Sequence, residues 1–157
     1  MTPELLATIH SALAENDSHA EKIRRAVQLL APQVPFSIES FSSLGDESSM
    51  VVDQLIYRFT KMQDSLGTRF LPALHALLED DARPRPFLDV LNRLEQLRVV
   101  DSVATWQFFR DLRNRLAHDY PESIQQTVGT INLLHSDIER FLGLYEVAKA
   151  ACLARLN

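Results

Sequence analysis

The residues of this chain best suited to chemistry lie in RDLRNRLAHDYPES, positions 110 to 123. Arg113, Asn114, His118 and Tyr120 are crowded there between two leucine-bearing helical patterns. A histidine titrates near neutral pH, so His118 is a candidate to take the proton of a ribose 2′-hydroxyl or to protonate a leaving oxygen. A guanidinium grips a phosphate through two parallel hydrogen bonds and stabilises charge developing on it, which makes Arg113 the partner candidate. Together they suit RNA cleavage without metal. One histidine does not easily serve both proton transfers, and a two-fold dimer that brings two copies of the site together would supply the second. Arg110 and Arg115 add local positive charge.

Spacing alone leaves two readings open. In a regular helix Arg113 and His118 would point about 140° apart. The length of arginine and the ending of the helix both narrow that gap. Asn114 stands four residues before His118, on the same helix face, where its amide is placed to fix the imidazole. Tyr120 is held extended by Pro121. The plainer reading makes Arg113 a surface ion pair, lets His118 complement the helix C-terminal dipole, and has Tyr120 cover the end of the bundle.

The rest of the chain offers little competing chemistry. It has no P-loop glycine pattern, no paired-cysteine zinc site and no HExxH, so neither a metal nor a cofactor is expected. His10, His19, His75 and His135 are scattered and read as partly exposed helical histidines. Asp64, in the polar break QDS just before Gly67, is the acid expected to support the site; a structural hydrogen bond at a kink fits it equally.

These residues must be positioned by helices. Leu5, Leu6, Ile9 and Leu13 share one side of a short helix over 3–14. Asn16, Asp17 and Ser18 then offer caps for a second run through Ile23, Val27 and Leu30, and the two runs are also readable as one interrupted helix. Residues 36–49 read as a loop or a short helical turn. From Met50 to Leu78 the apolar stripe is the clearest in the chain, with a kink expected near residue 68 because Gly67 and Pro72 lie inside it. A further helix carries Leu88, Leu91, Leu94 and Leu97. The next, capped by Asp101 or Ser102, must stop near Tyr120. Pro121 and Glu122 suit the first turn of the last helix, which buries Val128, Ile131, Ile138, Leu142, Tyr145 and Ala148. No stretch alternates convincingly over strand length. The expected fold is all-α: an up-and-down antiparallel four-helix bundle with one or two extra short helices, a single domain over 1–157.

Bulk properties agree with a soluble, cytoplasmic globular protein. The chain has 157 residues, of which 46% are hydrophobic and 24% charged. A net charge of −5 does not advertise nucleic-acid binding, so any RNA contact must use a local basic patch. The single cysteine, Cys152, forbids an internal disulfide and reads as a small buried apolar group. No signal peptide and no membrane-spanning stretch is expected.

The string RNRLAHDY resembles the R-N-x-L-x-H-x-Y form of the motif that marks the HEPN superfamily, in its HepT-like branch; Arg113, Asn114, Leu116, His118 and Tyr120 carry it. The segment VVDQLIYRFTKMQDSLG, residues 51–67, also looks like the long helix that precedes the motif in some of these proteins. The resemblance implies a HEPN-like bundle acting as a ribonuclease toxin, a homodimer with the arginine and histidine of both subunits along an interface cleft. It implies Arg113 and His118 as catalytic residues and Asn114 as a supporting one. It further implies a partner, the minimal nucleotidyltransferase (MNT) antitoxin, which would transfer AMP from ATP to Tyr120. The alternative within the same superfamily is a non-catalytic binding module that partners a nucleotidyltransferase or binds a nucleotide.

Overall fold

The computed structural model describes residues 1–117 and 123–157. Every regular element among them is helical: α1 (Pro3–Leu30), α2 (Ile38–Ser42), α3 (Asp46–Ser65), a π-helical turn (Leu66–Phe70), α4 (Leu71–Glu79), α5 (Phe87–Gln96), α6 (Val103–Ala117) and α7 (Ile124–Leu156). The all-α expectation therefore holds, with α1, α3–α4, α6 and α7 as the long rods and α2 and α5 as the short additions. No helix among the described residues is long and apolar enough to cross a membrane.

Side-chain pairs fix how the rods run. Along α1, Gln33 bonds Ser48, His19 meets Arg58, Asn16 donates to Ser65, Ser11 accepts from Arg69, and the N-terminal amine lies 3.8 Å from Asp80. Positions rise on one helix as they fall on the other, so α1 and α3–α4 are antiparallel. Trp106 lies against Gly67 and Phe109 against Phe59, so α6 also runs antiparallel to α3. At the centre, Phe59, Phe109 and Phe141 form an aromatic cluster with edge-on or tilted rings; Phe59 to Phe141 is 4.8 Å between centroids and Phe109 to Phe141 is 5.1 Å. The α7 residues expected to face inward are all buried, as is Cys152, whose thiol is pushed up by burial and so kept unreactive.

Several local expectations are corrected. Helix α1 is continuous through Asn16, Asp17 and Ser18. Asn16 is fully buried; its amide donates to the Ala12 carbonyl at 2.8 Å and to Ser65 Oγ at 3.1 Å. Asp17 accepts from the Tyr145 hydroxyl at 2.7 Å and from Lys149 at 2.9 Å. Tertiary partners thus occupy the side chains that would otherwise cap a new helix. In α5 the buried face is Val90, Leu91 and Leu94, whereas Leu88 is 53% exposed. Ser102 caps α6, accepting from Thr105 N–H at 2.9 Å. Helix α7 begins at Ile124, with Ser123 extended and its hydroxyl accepting from Gln126 N–H at 3.2 Å; Pro121 and Glu122, expected in its first turn, lie outside the described residues. Of the four scattered histidines, His19 and His75 are buried rather than partly exposed.

The kink expected near residue 68 is a π turn. Leu71 N–H donates to Leu66 O, a spacing of five instead of four. The extra residue falls just before Pro72, which has no N–H to give and whose ring would crowd the carbonyl four residues back. One residue of offset rotates everything downstream by about 100° about the helix axis. Asp64, before the turn, is directed at α6, and Arg69, within it, is directed at α1.

Candidate functional site

The expected site residues divide between what α6 brings together with α3 and what it does not. Arg113 donates through Nε and one terminal nitrogen to the two carboxylate oxygens of Asp64, both at 2.9 Å. This is the parallel two-bond geometry that a guanidinium also offers to phosphate. The contact holds the Arg113 guanidinium above its ordinary pKa, its hydrogen bonding to Asp64 being the main cause. The pair is neither dry nor fully solvated: Arg113 is 24% exposed and Asp64 35%.

A second arginine joins them. Arg110, one turn earlier on α6, donates to Gln63 Oε1 at 3.1 Å and to Asp64 Oδ1 at 3.4 Å. Residues three apart on a helix share a face, so Arg110 and Arg113 converge on one carboxylate. Two cations face one anion, leaving a local surplus of positive charge on an acidic protein. Gln63 is itself fully buried, and its Nε2 has no hydrogen-bond partner among the described residues.

The close approach of α6 to the π turn depends on Gly67. A Cβ there would lie 3.0 Å from Trp106 Cζ2. Trp106 is buried and packs edge-on to Phe87 at 5.5 Å, so it has little room to give. Behind the turn, the Thr68 hydroxyl donates to the Asp64 carbonyl at 2.8 Å, tying the backbone that carries the carboxylate.

Asn114 does not join this cluster. It is exposed, and it lines a groove of about 720 Å³ with Ile56, Leu116, Gln126, Thr127 and Leu133. Consecutive helical positions point about 100° apart, which is why Arg113 and Asn114 serve different faces. Arg115 also borders the groove and is held by Asp111 at 2.8 Å. His118 and Tyr120 lie outside the described residues; the described chain leaves α6 at Ala117 and resumes at Ser123, and both of the flanking residues Leu116 and Ser123 border the groove.

Asp64 was legible as a polar interruption, but its partner was not. The role of Gln63 and the direct engagement of Arg110 were missed by sequence reasoning. The signals available were the consecutive polar pair Gln63–Asp64 inside an apolar stripe and the spacing of three between Arg110 and Arg113.

A second cavity, about 290 Å³, lies where α4 meets α5 and is lined by His75, Glu79, Asp81, Arg85, Asp89 and Arg93. Arg83 and Arg85 both donate to Asp81 and hold its carboxyl far below the usual range, while Arg93 donates to Glu79 at 2.5 Å. Three carboxylates against two arginines make this lining unsuited to an anion.

No family model, no curated protein and no solved structure matches the chain.

Proposed function

We propose that this protein is a metal-independent endoribonuclease of the HEPN kind, the toxin of a pair with an MNT-type nucleotidyltransferase. The carrying observation is the placement of Arg113. It stands in the last turns of α6, partly exposed, with Arg110 beside it and a groove on the adjoining face. An arginine so held serves the scissile phosphate, and His118, five positions on in the R-N-x-L-x-H-x-Y string, serves the proton transfers. Asn114 supports from the groove side. A homodimer would bring a second histidine to the cleft. Tyr120 is the residue the antitoxin would modify with AMP. The bulky anion would then compete with RNA beside the arginines.

The test is cleavage of RNA by the purified protein without metal, beside His118→Ala and Arg113→Ala made the same way. The reading expects cleavage by the parent and none by either variant. A variant that cleaves as fast as the parent removes the role assigned to that residue. Intact mass of the parent decides an inert preparation: an added AMP supports a silenced toxin, whereas an unmodified and inactive protein overturns the ribonuclease reading.

One observation favours a second reading, the non-catalytic module that partners a nucleotidyltransferase or binds a nucleotide. The two-bond edge of Arg113 is already engaged by Asp64, as a structural ion pair would be. That reading predicts a stable complex with the nucleotidyltransferase and no cleavage at all.

A further inference from the structure

The pairing of Asp64 with both arginines has a consequence for how an anion reaches them. The edge of Arg113 that suits a phosphate, Nε together with one terminal nitrogen, is the edge that Asp64 occupies at 2.9 Å on each bond. Arg110 reaches the same carboxylate by one longer contact of 3.4 Å and is itself half exposed. No phosphate could take this Nε edge of Arg113 while Asp64 holds it. Yet the pair is open enough to water to exchange, because neither side chain is buried. Water reaching a partly exposed pair screens its attraction, so even a two-bond contact there is open to exchange for another anion.

We infer that Asp64 is a built-in competitor for phosphate. It occupies the Arg113–Arg110 cradle at rest and yields it to a phosphodiester of single-stranded nucleic acid. Several features support this over a purely structural role. The carboxylate mimics two oxygens of a phosphate in the same planar, two-bond arrangement. The cradle carries two positive charges against one negative, so a displaced Asp64 still leaves a site that attracts an anion. Asp64 sits at the last turn before the π segment, with its backbone tied by Thr68, so the carboxylate can turn away without unwinding α3. Gln63 keeps its own bond to Arg110, so that arginine stays oriented when Asp64 leaves. The device makes the cleft selective: a weakly anionic ligand does not displace Asp64, whereas a phosphate chain, with neighbouring charges adding to the attraction, does.

The inference rests on the reading that Arg113 serves phosphate, so the test separates binding from cleavage. The probe is a fluorescent single-stranded oligonucleotide with 2′-O-methyl riboses, which cannot be cut by attack of the 2′-oxygen. Its binding is measured across a salt series for the parent, Asp64→Asn, Asp64→Glu and the double variant Asp64→Asn/Arg113→Ala. Circular dichroism and thermal unfolding of each confirm the fold. Asp64→Asn is expected to bind about fivefold tighter at low salt, which corresponds to losing a competing pair of about 1 kcal/mol. Its salt dependence should steepen by about one phosphate contact. Asp64→Glu, which keeps the competing charge, should stay near the parent, and the double variant should lose the gain. Equal or weaker binding by folded Asp64→Asn overturns the inference and makes Asp64 a residue that orients Arg113. Absence of binding by both parent and Asp64→Asn overturns it as well, since unmasked arginines must bind. Failure of the ribonuclease reading shows separately, as an unmodified parent that does not cut RNA while Asp64→Asn still gains affinity.

Discussion

The stretch from Gln63 to Arg69 carries two arginine–carboxylate clusters, one toward α6 and one toward α1, and they are built differently. Toward α6, Asp64 is gripped by both bonds of Arg113 and by Arg110, with a groove on the adjoining face. Toward α1, Arg69 pairs with Glu15 and donates to Ser11, while His19 lies between Glu15 and Arg58. Around the α1 cluster the polar groups are interior ones: Asn16, Ser65 and His19 are all buried. The α1 cluster is a polar seam over buried polar groups between two antiparallel helices, although its Arg69–Glu15 pair is itself 39% and 35% exposed. The α6 cluster sits where a helix is ending and leaves its cations within reach of an outside anion. Similar residues thus give a structural joint on one side and a candidate binding cradle on the other. What separates them is the second arginine and the groove beside the α6 cluster, against the buried Asn16, Ser65 and His19 beside the α1 one.

That contrast predicts opposite consequences of mutation. The largest effect should come from Arg113→Ala, which lowers RNA cleavage by about 100-fold or more, the scale of losing one group that stabilises developing charge. Its unfolding free energy, read by urea titration, should fall by only about 1 kcal/mol, since the pair it breaks is partly exposed. A large stability loss would make the α6 cluster another seam and erase the distinction.

Asn16→Ala tests the other side. It strands Ser65 Oγ in the interior and should cost about 2 kcal/mol by urea titration, while cleavage per folded molecule stays unchanged. Gly67→Val sharpens the comparison, because it pushes first on Trp106 of α6, with Phe87 of α5 next behind it. About 2 kcal/mol of overpacking is expected, and with it a loss of cleavage that Asn16→Ala does not show.

The smallest effect concerns pH. Burial, and then the neighbouring Arg58 charge, hold the His19 pKa below its ordinary 6.5, against the opposing pull of Glu15; Lys22 adds to the lowering. Below pH 6.5 the unfolded chain takes up a proton that the folded protein resists. Stability supplied by neutral His19 is therefore present above pH 6.5 and is lost as pH falls through the lower folded value. His19→Gln should flatten this part of a thermal-unfolding profile, with no change in the pH dependence of cleavage. A shifted cleavage profile would link the seam to the cleft.

Much of the fold was readable before any coordinates. The stripe from Val52 to Leu77, the inward face of α7 and the interruption near residue 68 follow from spacing and from Pro72, because one apolar face and one missing N–H act locally. The caps were less legible. Asn16-Asp17-Ser18 has every feature of a helix start, and Pro121-Glu122 suits a first turn, yet α1 runs through the former and Ser123 caps α7 instead. Of the candidate site, Arg113, Asn114 and Asp64 were each singled out, but as separate residues. That Arg110 reaches both Gln63 and Asp64 was not visible.

The sequence by itself determined that this chain is helical, where its breakers fall, and that a string of arginines lies in the last turns of α6. Those properties depend on residues within one or two turns of each other. Only the tertiary structure decided that Asn16 is buried rather than capping, that Asp64 and Arg113 meet, and that Asn114 turns away into a groove. Asp64 and Arg113 are 49 positions apart, and they meet where α6 comes close to the π turn, an approach that the missing Cβ of Gly67 leaves room for. A pattern read along one helix carries no information on the angle at which another helix crosses it.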